Sequence, residues 1–128
     1  MRIPWDTSLL DWEQRLLTGQ SLVPSLPLFQ READEAVSVM KRMRIPDIPG
    51  TPFMGDACNP WVFDIAAALF GSLDADTDPD RPFRYIQEIL LLVPKKNSKS
   101  STAASLMLTA TIVNRRPDAL FNLIAPTK

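Results

Sequence analysis

Five aliphatic residues in a row, Ile89 to Val93, end at Pro94 and run straight into the basic, hydroxyl-rich stretch KKNSKSST, Lys95 to Thr102. A continuous apolar run of this length, closed by proline, reads as a strand buried on both faces, the habit of parallel sheets. After the loop, Ser100 to Asn114 carries strong helix formers at Ala103, Ala104, Leu106, Met107 and Leu108 and stops before Arg115, Arg116 and Pro117. LFNLIAP, Leu120 to Pro126, reads as the next strand. Strand, loop, helix and strand make a βαβ unit with a right-handed crossover.

At the carboxyl end of a strand and the start of a helix, backbone N–H groups and the helix dipole favour a bound anion. The general phosphate-loop pattern is Gly, four variable residues, Gly, Lys and Ser or Thr. Here Val93 and Ser98 stand where the glycines belong, and Lys99 and Ser100 match outright. In that pattern Lys99 reaches the terminal phosphates and the Ser100 hydroxyl joins a magnesium ion. The plainer alternative is a basic loop at a helix start with no ligand.

Upstream the chain reads as helices. Ser8 with Asp11 resembles a capping box ahead of Leu9, Trp12 and Leu16, and Gly19 supplies the stop. A second helix spans Gln30 to about Met43, with Ala33, Val37, Met40 and Met43 as its core stripe. RIPDIPGTPFMGDACN, Arg44 to Asn59, has three prolines and two glycines, which argue against regular structure and point to an ordered, wrapped connection. Asn59-Pro60 caps a third helix through Trp61, Ile65, Ala68 and Leu69 to Gly71. DADTDPDRP, Asp74 to Pro82, is an acidic surface loop rather than a metal site.

Composition narrows the chemistry. A chain of 128 residues, 45% hydrophobic and 23% charged, suits a single globular domain. Its net charge of -1 hides a division: residues 1–80 carry 6 Lys/Arg against 13 Asp/Glu, and residues 81–128 carry 8 against 2. The basic part suits an anionic ligand such as a nucleotide or nucleic acid; alternatively, the two parts simply neutralise one another. With no histidine and one cysteine, Cys58, His-based catalysis, Cys/His zinc sites and internal disulfides are excluded. The early charges of MRIPWDTSLLDWEQ rule out a signal-peptide apolar region, and the run Trp61 to Leu73, interrupted by Asp64, is too short for a bilayer. The reading is cytoplasmic.

Four stretches in order carry a resemblance: WEQRLLTGQSLVPSLPLF, RIPDIPGTPFMGDACNPWVFDIAAALFG, LLLVPKKNSKSSTAASLMLTA and LIAPTK. Together they resemble the N-terminal part of the large subunit of a tailed-phage terminase, an ATP-driven DNA-packaging motor and nuclease. The resemblance implies an α/β fold: N-terminal helices and loops over residues 1–83, then over 84–128 the truncated start of a P-loop NTPase parallel sheet. The implied function is the ATP phosphate-binding loop of the motor, in the host-cell cytoplasm. ATP and Mg2+ are the implied cofactors, and double-stranded phage DNA, the small subunit and the portal the implied partners; no membrane is implied, and self-association is open.

The implied phosphate loop comprises Pro94, Lys96, Asn97, Ser98, Lys99, Ser100 and Ser101. Ser100 is the metal ligand, and Lys95, where the family commonly has a basic residue, takes the catalytic place. Ser98 replaces the usual glycine, and Val62 stands where many relatives have an adenine-reading glutamine. Trp61 and Phe53 are therefore the adenine-side candidates by stacking, although ordinary core packing is the plainer reading of both. The family's paired catalytic acids and its nuclease domain have no counterpart in these 128 residues. An inactive prophage remnant or interaction module without ATP turnover is the competing reading. A small P-loop kinase would need phosphate-acceptor clamps for which the chain has no room.

Overall fold

The computed structural model describes residues 8–22, 29–74, 83–94 and 99–113, together with 120, 122 and 124. Its regular elements are all helical: α1 (Trp12–Thr18), α2 (Gln30–Lys41), α3 (Met54–Ala57), α4 (Pro60–Gly71) and α5 (Lys99–Ile112).

α2 and α4 form the centre. Ala36 and Met40 of α2 pack with Val62, Phe63, Ala66 and Phe70 of α4, and Met54 of α3 closes one end. The small residues Ala36 and Ala66, both fully buried, let the helix backbones approach while Met40 fills the space between larger side chains. On α2 the buried stripe is Ala33, Ala36 and Met40, with Val37 only half-buried. The face is thus turned toward Ala36 relative to the predicted Ala33–Val37–Met40 stripe. α5 lies against the same core through Leu106 and Ala110, with Val113 just beyond its end. The buried Thr109 satisfies its hydroxyl by donating to the Ser105 carbonyl at 2.8 Å.

The helix ends follow local rules. Gly19, at φ 68°, ends α1 in the left-handed region, and the Gln20 N–H donates back to the Arg15 carbonyl at 2.9 Å. Pro60 opens α4 after Asn59, whose side chain makes no capping hydrogen bond. The proline-rich connection, expected to hold no regular structure, contains the short helix α3 and an antiparallel bridge between Arg44 and Phe53. The Met54 N–H donates to the Met43 carbonyl at 2.8 Å, and the Ile45 N–H to the Pro52 carbonyl at 3.0 Å. The turn between them places Gly50 at φ 85° and Thr51 at φ 43°.

The predicted parallel sheet is not formed. Among the described residues there is no strand, only two isolated antiparallel bridges, Arg44 with Phe53 and Leu73 with Arg84. Residues 89–93, predicted as a buried strand, lie outside any regular element, with Leu90 and Leu92 each 83% exposed. A two-sided buried strand needs a hydrogen-bonding neighbour and a covering layer on each face, and neither is present among the described residues. Of the second predicted strand, Leu120, Asn122 and Ile124 are described and are exposed and irregular. The α/β reading of a P-loop NTPase sheet is therefore replaced by a helical assembly, in which the helix after the loop has neither expected strand among the described residues.

Candidate functional site

The first turn of α5 carries the predicted phosphate-binding side chains. Lys99, Ser100 and Ser101 are all exposed there, and Thr102 immediately behind them is buried at 3% exposure. That burial fixes which side of the turn faces the core and leaves the Lys99 and Ser100 side chains toward solvent. No acidic residue lies in this turn, and Lys99 makes no ion pair with a described residue. The first N–H groups of a 14-residue helix lack intrahelical acceptors and add partial positive charge. Pro94 is exposed, while Lys95, Lys96, Asn97 and Ser98 lie outside the described residues.

Beside the segment leading into the loop lies an open groove of about 610 Å3, in the ordinary size range of small-molecule sites. α1 and its C-terminal turn supply Leu16, Gly19 and Leu22; the start of α4 supplies Pro60, Trp61, Asp64 and Ile65; the segment leading into the loop supplies Leu91 and Val93. The spacing accounts for the α4 contribution, because Pro60 and Asp64, like Trp61 and Ile65, are four apart and share one helix face. Along residues 90–93 exposure alternates, Leu90 and Leu92 outward and Leu91 and Val93 half-buried, so a period-two backbone turns one apolar row into the groove.

Trp61, predicted on the adenine side, is thus half-buried in the groove with Val93, the residue before Pro94. Phe53, the other aromatic candidate, is not among the groove's described lining; the Arg44 guanidinium lies 4.1 Å from its ring centroid. Arg44 also donates from Nη1 to the Thr51 carbonyl at 3.0 Å, making Phe53 part of a local staple that closes the Gly50 turn. Val62 is 3% exposed and faces the core, so it touches nothing in the groove. Sequence reasoning missed Asp64, Asn59, Leu91 and Val93 as lining residues. The one signal for Asp64 was its interruption of the apolar run beginning at Trp61.

Cys58, half-buried beside the core, has its thiol pushed above the ordinary value by burial, which keeps it protonated and a poor nucleophile. Among the described residues no three His, Cys, Asp or Glu side chains come together as a metal-binding group. A phosphate-loop magnesium takes one protein hydroxyl and otherwise oxygens of phosphate and water, and the Ser100 hydroxyl is exposed at the start of α5. Among the described residues no helix is long and apolar enough to cross a membrane. Comparison with family models, with curated proteins and with solved structures finds no match.

Proposed function

We propose that this chain carries the nucleotide-binding segment of a terminase-type DNA-packaging ATPase, with ATP phosphates held at the start of α5 and the base side in the groove beside Trp61. The observation that carries the reading is the shared groove of Trp61 and Val93, which brings the aromatic candidate to the residues leading into the loop. The exposed Lys99 and Ser100 in an acid-free helical turn support it from the phosphate side. Lys99 supplies charge-assisted hydrogen bonds to phosphate, and Ser100 one oxygen to Mg2+. Lys95 is the further cation of the loop, and Pro94, Lys96, Asn97, Ser98 and Ser101 are its remaining residues. Such a motor works on double-stranded phage DNA with a small subunit and a portal, in the host cytoplasm. The assignment concerns the loop and its ligand, and requires no parallel sheet in this chain.

Calorimetry with Mg·ATP tests the reading. Lys99→Ala should weaken binding by about 1.5 to 3 kcal/mol, the worth of a hydrogen bond to a charged group. Equal affinity in both chains removes Lys99 from the site.

A second reading is favoured by the exposure of Leu90 and Leu92, each 83%, in a segment without a strand partner. In it the chain is an interaction module or inactive remnant that buries this segment on another chain and does not turn over ATP. Concentration-dependent light scattering that is abolished by Leu90→Lys, with no ATP binding, selects this reading.

A further inference from the structure

We infer that Asp64 reads the exocyclic amine of the base, so that the groove selects purines carrying a 6-amino group. The inference rests on the proposed nucleotide site and goes beyond it by assigning a specificity residue. Among the groove's described lining residues Asp64 is the only charged one; the others are apolar or neutral polar, and none is basic. With Asp64 negative and Trp61, Ile65 and Leu91 apolar, the described part of the groove suits the neutral, aromatic end of a nucleotide better than its triphosphate. Trp61 and Ile65 supply flat apolar surface for the ring.

Asp64 stands three residues from Trp61 and four from Pro60, on the face of α4 that lines the groove. It is half-buried and makes no hydrogen bond or ion pair with any described residue. An ionised carboxylate only accepts hydrogen bonds. Its complement on a ring held against Trp61 is therefore an N–H donor, and the 6-amino group of adenine supplies one. A purine without that amine leaves the half-buried carboxylate facing C–H and forfeits a hydrogen bond to a charged group. This discrimination is separate from the Lys99 contacts, which touch only phosphate and weigh equally for every base.

The test compares Mg·ATP with the triphosphate of purine riboside, which has the same ring without the amine, on the whole chain by calorimetry. The expected result is at least about tenfold tighter binding of ATP, reduced to within about twofold in Asp64→Ala. Because alanine is the best helix former and the site is only half-buried, α4 should persist, which circular dichroism verifies. Asp64→Asn, which keeps an accepting carbonyl oxygen, should fall between the two. Equal affinities in the unaltered chain, both weakened by Lys99→Ala, overturn the base reading and leave the phosphate site standing. A tenfold preference that survives Asp64→Ala overturns the assignment to this residue. Absence of binding by either nucleotide overturns this inference and the nucleotide site together.

Discussion

Residue by residue, the cost of a change here is set by burial and by whether a polar group is satisfied. Met40 is fully buried between α2 and α4. Met40→Ala leaves a cavity that rigid helical neighbours fill only in part, and should destabilise by about 2 to 5 kcal/mol. Ser72 behaves oppositely. It is fully buried at the end of α4, and its hydroxyl has no hydrogen-bond partner among the described residues. Removing an unpaired buried hydroxyl relieves a desolvation cost, so Ser72→Ala should leave stability unchanged or raise it by up to about 1 to 3 kcal/mol. Urea midpoints of the two variants check both signs, and a destabilised Ser72→Ala would mean that the hydroxyl is bonded in solution.

Among the elements, those decided by neighbours in sequence were legible and the two expected strands, which need distant partners, were not. Gly19 marks the end of α1, Pro60 the start of α4, and the alanine-rich stretch after the loop is α5. Each follows from caps, prolines or periodicity acting within a turn or two. On α2, Ala36 takes the central place predicted for Val37, because contact with α4 favours the small side chain that permits close approach. The aliphatic run at 89–93 deceived for a physical reason: an apolar run has the same sequence whether or not a neighbouring strand exists to receive its hydrogen bonds. Its amides take no part in the backbone hydrogen bonds among the described residues. Exchange measured residue by residue should place Ile89 to Val93 with the fastest amides and Phe63 to Phe70 with the slowest. Slow exchange at Ile89 to Val93 would restore a paired strand. The candidate site was legible by the same division: Lys99 and Ser100 come from a local pattern, whereas Asp64, Leu91 and Val93 enter the groove only through packing between segments distant in sequence.

As a whole, the described residues join a helical core to a helix start bearing Lys99 and to an apolar groove beside Trp61. Nothing in its 128 residues supplies an apolar strand ending in paired acids to hold and orient an attacking water. The purified chain should therefore bind Mg·ATP without hydrolysing it above background, with or without DNA, in a phosphate-release assay; turnover that disappears in Lys99→Ala would place a water-activating group in this chain. The central claim is that the start of α5 and the groove beside Trp61 serve one ligand. Hydrogen exchange across a titration with Mg·ATP addresses it most directly, because the first amides of α5 lack intrahelical acceptors and exchange freely until an anion receives them. Protection should appear at Ser100 to Thr102 and at Trp61 to Ile65 together, saturating at the same ATP concentration. Protection of neither region, or of one without the other, would contradict a single nucleotide site.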